Sequence, residues 1–242
     1  MEANAWLREG PPLVVAHRGA NAHAPENTLT AFRLAGEQGA DAVEFDVRIT
    51  ADGHLVVIHD PSLARTTERE GEIAALTLEE IRRADAGVRR GPAFRGERVP
   101  TLEEVLGVAR DRLLVDIELK VTGIEAQVVE HLARVEMTAA ALVTSFLEEA
   151  IVATPLVERG VAVGLLQQWP DASRVNELGA DVYLPHVRVL SAEIVQFCRA
   201  RGVRVIPWTV RSEDDARAAL RHGVDGLIAD DPLLARRMIE NR

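Results

Sequence analysis

Short β-branched runs alternate with amphipathic, Ala/Leu/Glu-rich segments along the whole chain, and this rhythm constrains the fold more than any other feature. A strand covered on both faces reads as an apolar run, and the helix covering it as an apolar stripe with a polar back. The alternation therefore specifies repeated βα units around a parallel sheet. Strand-like runs lie at 13–16, 42–48, 55–59, 113–118, 141–144, 162–165, 182–184, 204–207 and 226–228. Helical periodicity covers 27–38, 101–109, 123–134, 147–157, 172–178, 191–201, 213–221 and 231–240. Thr101, Ser145, Ser191 and Ser212 stand where a hydroxyl can cap the helix that follows. Gly39, Gly160, Gly179, Gly202 and Gly223 stand where a helix can end.

Asp52-Gly53 between two apolar runs predicts a hairpin, so the run at 55–59 doubles back beside the second strand. Without it, eight βα units remain in 242 residues, which is the pattern of a (β/α)₈ TIM barrel. The stretch 62–98 breaks the rhythm, being charged (RTTEREGE, GVRRGPAFRGER) with one helix-like piece, TLEEIRRA. It is expected to be an insertion after the second unit. No Pro-, Gly- or Ser-rich linker divides the chain, so residues 1–242 are expected to form one barrel domain.

Composition narrows the function classes. With 28 Lys+Arg against 38 Asp+Glu the net charge is −10, which argues against nucleic acid as a partner and requires locally placed cations for any anionic ligand. The single Cys198 cannot form an internal disulfide and reads as a small buried apolar residue. The N-terminus lacks a basic region followed by an apolar one, and no apolar stretch approaches the roughly 20 residues of a membrane span. The expectation is a cytoplasmic protein without stable membrane insertion, a monomer or homodimer acting on a small molecule.

A barrel concentrates function at the C-terminal ends of its strands and in the loops that follow. Those positions hold His17-Arg18-Gly19, Glu44-Phe45-Asp46, His59-Asp60, Glu118-Leu119-Lys120, Ser145-Phe146, Trp208-Thr209 and Asp230. Glu44 and Asp46 are two apart on one strand, as are Glu118 and Lys120 on another, with Asp116 one step back. The period of two aims these charges at the barrel axis while Val43, Phe45, Val47, Ile117 and Leu119 face the helices. Carboxylates converging on one point repel unless a cation sits among them, and oxygen-only donors suit a hard ion, Mg²⁺ or Ca²⁺. The competing possibility is that the acids are solvated or paired with Arg. His17 and His59 end two strands and could serve as general base and general acid. Arg18 and Lys120 bring cations suited to phosphate oxygens, or balance Glu44 and Glu118; Trp208 could form an apolar wall or a core position. His23, His54, His131, His186 and His222 are expected to have surface or capping roles.

HRGANAHAPENTLTAF, VEFDVRITADGHLVVIHDPSLARTT, VPTLEEVL, LLVDIELK, SF, PWTV and GVDGLIADDP occur in that order. Together they resemble the glycerophosphodiester phosphodiesterase family from about residue 13 to 232. The resemblance implies a (β/α)₈ barrel with a small insertion after the second unit. It also implies a divalent metal on Glu44, Asp46 and Glu118, an acid/base pair in His17 and His59, and phosphate contacts from Arg18 and Lys120. The implied reaction is metal-dependent hydrolysis of glycerophosphodiesters such as glycerophosphocholine or glycerophosphoethanolamine to sn-glycerol 3-phosphate and an alcohol. Glu26 and Asn27 match the ENT block, whereas Arg211 stands where the family often has Asn. Three alternatives remain: a phospholipase-type enzyme, which calls for an exposed apolar rim not evident in the sequence; a non-catalytic phosphate-binding barrel, which calls for loss of a His or a ligand; and a metal-dependent aldolase or isomerase, which has no need of two rim histidines.

Overall fold

The computed structural model describes residues 4–157 and 160–241. Its elements run β1 (Leu13–His17), α1 (Leu29–Glu37), β2 (Ala42–Ile49), β3 (Leu55–Val57), α2 (Leu78–Ile81), α3 (Leu102–Ala109), β4 (Leu114–Leu119), α4 (Glu125–Arg134) and β5 (Ala141–Ser145). They continue with α5 (Glu148–Val157), β6 (Ala162–Gln167), α6 (Ser173–Leu178), β7 (Val182–Pro185), α7 (Ala192–Arg199), β8 (Arg204–Val205), α8 (Glu213–Arg221), β9 (Gly226–Ala229) and α9 (Pro232–Glu240). Eight parallel strands pair in the order β8-β7-β6-β5-β4-β2-β1-β9, with β3 antiparallel against β2. The two ends of this sheet meet. Asp225 N–H donates to Val205 O at 2.8 Å, Val210 N–H to Ile228 O at 2.8 Å and Ile228 N–H to Pro207 O at 3.0 Å, giving the (β/α)₈ barrel.

Alternation along the strands sorts the core into two shells. Val43, Phe45 and Val47 of β2, and Val115, Ile117 and Leu119 of β4, point outward into the helix layer, where Phe45 meets Phe32 of α1 edge-on at 5.6 Å. Val15, Ala42, Leu142, Val182, Leu184, Ile206 and Ile228 fill the lower interior. The polar residues of β1, β2 and β4 lie one layer higher, on top of that apolar floor. Gly164 belongs to the same crowded interior: a Cβ there would stand 2.6 Å from Leu184 Cδ1 and 2.9 Å from Thr144 Cγ2.

Residues ahead of β1 close the bottom of the barrel. Trp6 is completely buried in the interior cluster, its Nε1 donating to Ala140 O at 3.0 Å. The Asn4 amide donates to Ala141 O and Gly160 O at 2.9 and 3.0 Å. The segment 62–98 has a small core of its own, in which Leu63, Ile73 and Ile81 pack with Val56, Ile58 and Val99 beside β3. Its one α-helix, α2, starts with the capping box Thr77–Glu80. Thr101, Ser191 and Ser212 cap helices as expected. Ser145 does not: it ends β5, its Oγ donating to Leu119 O and accepting from Leu147 N–H, one residue short of α5. The strand expected over 55–59 stops at Val57: Ile58 N–H still donates to Asp46 O on β2, whereas Val57 N–H turns away from the hairpin to Pro100 O. No helix among the described residues is long and apolar enough to cross a membrane.

Candidate active site

The C-terminal ends of β1, β2 and β4 bring the sequence-selected residues to one cavity of about 270 Å³. Strand register sets their heights: His17 is level with Glu44, Glu44 with Asp116, and Asp46 with Glu118. Glu44, Asp46 and Glu118 are all buried, with one oxygen from each lying within 4.8 Å of the others. Arg18 and Lys120 reach into this acidic cluster. Lys120 Nζ is 2.5 Å from Glu118 Oε1 and 3.2 Å from Asp46 Oδ1; Arg18 Nε is 3.2 Å from Asp46 Oδ2, and its Nη1 donates to Glu26 Oε1 at 2.9 Å. The loop after β1 is shaped for this. Arg18 and Asn27 both adopt left-handed backbone (φ 54° and 56°), a conformation uncommon outside glycine that clusters at functional sites. Asn27 N–H donates to Arg18 O at 3.0 Å, its side-chain amide donates to Asp46 Oδ2 at 2.8 Å, and Arg18 N–H donates to Glu44 Oε2 at 2.9 Å.

Each histidine has the same support. His17 Nδ1 is 2.6 Å from Asp230 Oδ1, whose other oxygen accepts from Arg211 Nε at 3.0 Å. His59 Nδ1 is 2.6 Å from Asp60 Oδ1, whose other oxygen accepts from Arg65 Nε at 2.7 Å. Arg65 also donates twice to Glu26, so the two cation–carboxylate networks share that residue. Opposite the charges, Phe146, Leu166, Trp208 and Ile228 form an apolar wall. Trp208 is fixed there by its Nε1–H donating to Leu184 O at 2.8 Å and by edge-on contact with the Phe146 ring at 5.3 Å.

The charges in the cluster do not balance, and the titration of its acids reflects that. Burial, then the anions Asp46, Asp116 and Glu118, push Glu44 well above the ordinary carboxylate range. Burial and Asp46 raise Glu118 to about 7 against the pull of Lys120. Burial raises Asp116 to about 8 although Thr144 donates to it at 2.7 Å. Asp46 goes the other way: despite the penalty of burial, Arg18, Lys120 and His59 hold it below its usual value. Its Oδ1 has the Lys120 ammonium at 3.2 Å as its partner. Three buried carboxylates, oxygen-only, with ionised Asp46 holding back the ionisation of Glu44 and Glu118, fit a hard divalent cation.

A sequence model of the family described as "Glycerophosphoryl diester phosphodiesterase family" matches residues 17–234. The chain belongs to the glycerophosphoryl diester phosphodiesterase family. Membership makes it an enzyme, a glycerophosphodiester phosphodiesterase. Among its relatives, the "Glycerophosphodiester phosphodiesterase" of Caldanaerobacter subterraneus is 39% identical over 232 residues, covering 91% of this chain and 94% of that one. An Oleispira antarctica phosphodiesterase, solved with its product sn-glycerol-3-phosphate, superposes with a TM-score of 0.86 at 31% identity, over 95% of this chain and 97% of its own. The Agrobacterium tumefaciens glycerophosphodiester phosphodiesterase superposes with a TM-score of 0.85 at 31% identity, over 93% and 99% of the two chains.

On this phosphodiesterase barrel, His17, His59, Arg18, Lys120, Glu44, Glu118 and Trp208 all line the cavity, and Asp46 lies at its buried edge against Arg18 and Lys120. Two further residues belong to the site: Arg65, which stands in the HDPSLARTT motif with no spacing signal of its own, and Thr144, which the inward alternation of Leu142 and Thr144 on β5 marks. The apolar rim that the sequence did not reveal is present in part, because Phe146 and Trp169, on the loops after β5 and β6, are 41% and 77% exposed. Phe146 lines the cavity, and Trp169 follows the cavity-lining Gln168 in the chain. Of the remaining histidines, His186 packs its ring against Trp208 at 5.1 Å.

Proposed function

We propose that this enzyme hydrolyses small glycerophosphodiesters, such as glycerophosphocholine or glycerophosphoethanolamine, to sn-glycerol 3-phosphate and an alcohol, with His17 and His59 as the acid/base pair. The observation that carries the reading is the cavity itself: two histidines, each with an Asp on Nδ1, share one 270 Å³ space with the acidic cluster, Arg18 and Lys120. Ionised Asp accepts but does not donate, so each imidazole keeps its proton on Nδ1 and offers Nε2 as a base. One histidine takes the proton of the attacking oxygen while the other, protonated, gives one to the leaving alkoxide. Burial presses His59 toward the neutral form, which suits it to begin as the base. Arg18 and Lys120 supply fixed positive charge where the phosphoryl oxygens gain negative charge. Glu44, Asp46 and Glu118 would hold one divalent cation, Mg²⁺ or Ca²⁺, which supplies Lewis-acid neutralisation of a phosphoryl oxygen. The chain is taken to act as one barrel domain with 62–98 as an insertion.

A coupled assay for glycerol 3-phosphate release, with added Mg²⁺ or Ca²⁺ and then with chelator, tests the reading. His17→Ala and His59→Ala are each expected to lower kcat by at least ~10²-fold with the fold intact. Near-normal turnover in both variants overturns the acid/base assignment, and chelator-resistant turnover overturns the metal. A second reading, cleavage of a lipid phosphodiester, is favoured by the exposed Phe146 in the cavity wall and the exposed Trp169 next to the cavity-lining Gln168. Release of free choline from lysophosphatidylcholine faster than from glycerophosphocholine would select it.

A further inference from the structure

We propose that Asp230, braced by Arg211, is the positioning residue of His17: it locks the proton on Nδ1 and turns Nε2 into the cavity. The inference rests on the reading of His17 as an acid/base group. The geometry leaves the imidazole little choice. A carboxylate only accepts, so the ring nitrogen 2.6 Å from Asp230 Oδ1 carries the hydrogen. Asn21 Nδ2 lies 3.3 Å from the same ring nitrogen, but both are then donors and that approach is no bond. The amide instead donates to Asp230 Oδ1 at 3.0 Å and to His17 O at 2.8 Å, tying the carboxylate to the histidine's own backbone. Arg211 Nε takes the remaining oxygen, Oδ2, at 3.0 Å. Both oxygens of Asp230 thus accept hydrogen bonds, and His17 Nε2 is left 4.0 Å from Glu44 Oε2 on the cavity side.

Barrel closure delivers this arrangement. Asp230 follows β9 and Arg211 follows the β8 strand line, with Asp230 N–H donating to Val210 O at 3.2 Å. The partner of His59 is its chain neighbour, whereas that of His17 comes from 213 residues away. The first histidine therefore becomes competent only when the last strand closes on the first.

Asp230→Asn tests the lock. The amide has one oxygen to offer Arg211 and Asn21, and its NH₂, when it faces His17, demands an acceptor at Nδ1 and so drives the proton to Nε2. In wild-type protein, ¹⁵N spectra of labelled histidine are expected to show His17 as the Nδ1–H tautomer, and in Asp230→Asn to show it moved toward Nε2–H. Turnover of glycerophosphocholine is expected to fall by about 10²–10⁴-fold in kcat, as when the carboxylate behind a catalytic histidine becomes an amide, with KM changed by no more than roughly threefold. Asp230→Glu, which keeps an acceptor, is expected to recover part of the loss. An Nε2–H tautomer in the wild type overturns the proposal. So does Asp230→Asn that loses thermal stability while its folded fraction keeps kcat within about threefold of wild type. If Asp230→Asn does not fold, Arg211→Ala, at a 64% exposed side chain, decides instead. A mixed tautomer with a few-fold lower kcat supports the lock, and unchanged tautomer and kcat overturn it. Absent turnover in the wild type would sink the functional reading alone, because the tautomer measurement still decides the positioning.

Discussion

Lys120 is where two opposed accounts of this site meet in a single side chain. Burial pulls its pKa down, but Glu118 and Asp46 raise it further, so it stays charged among acids. As a counter-charge it would matter to stability; as a phosphate contact it would matter most where negative charge is concentrated, in the transition state. Lys120→Met is expected to lower kcat by about 10²-fold with a smaller change in KM, and Lys120→Arg to recover only part, since a planar fork does not replace a point ammonium. Kinetics at saturating metal, metal affinity and melting temperature on the same sample decide it: normal kcat with lower stability would leave Lys120 as a counter-charge only. The sequence placed Glu44, Asp46, Glu118 and Lys120 because the i, i+2 spacing on a strand is a rigid geometric fact. It could not place Arg18 against Asp46, because that contact depends on a left-handed Arg18 and on Asn27 folding back across ten residues of loop.

At the scale of elements, the barrel interior and its floor are where packing is least forgiving. Gly164 sits on β6 between Leu184, Thr144 and Leu142, and a methyl group added there would stand only 2.6, 2.9 and 3.3 Å from their side chains. Gly164→Ala is expected to destabilise the fold by roughly 1–3 kcal/mol, the usual cost of overpacking, read as a lower urea midpoint with unchanged slope. A midpoint within error of wild type would mean that the inner layer has slack. The 3-10 turn Ala5–Leu7 buries Trp6 completely beneath the barrel floor. Trp6→Ala is expected to cost roughly 3–5 kcal/mol, as large-to-small changes at buried aromatics do, and to lower the melting temperature accordingly. Unaltered melting would show the turn to be dispensable. The alternation of βα units announced the elements, but a three-residue turn with one Trp carries no periodicity that could announce a plug.

For the molecule as a whole, the cluster of raised acids couples stability to pH and to metal. Glu118 at about 7 and Asp116 at about 8 lie above their unfolded values, so between roughly pH 4 and pH 8 the native state binds more protons than the unfolded chain. The stabilisation from these two is complete below their unfolded pKa values and fades as pH rises through the folded ones. Asp60 and Asp230, both held at about 2, titrate below that window: Asp60 through Arg65, Asp230 through His17 against its own burial. Metal-free protein is therefore expected to lose melting temperature from about pH 5 to pH 8. Millimolar Mg²⁺ or Ca²⁺ is expected to remove that slope and to raise stability by about 2.7 kcal/mol at a hundredfold excess over Kd. Scanning calorimetry across that range with and without the ion checks both, and a flat metal-free profile would contradict the mutual repulsion.

Local chemistry in the sequence determined the strands and helices, the hairpin at Asp52-Gly53, and which acids share a face, because each is fixed within a few residues by backbone period or turn geometry. Family motifs named the two histidines. Tertiary structure alone decided what surrounds them. The Asp230 partner of His17 exists only once β9 lies beside β1, and Arg211 reaches it only across the closing seam. Ser145 illustrates the same limit on a smaller scale. Its position before FLEEA reads as a helix cap, yet it ends β5: its hydroxyl donates to the carbonyl of Leu119 on the neighbouring strand, 26 residues away in sequence, and accepts from Leu147 N–H ahead of α5. A hydroxyl takes the partner the fold brings to it, and sequence lists only the partners close along the chain.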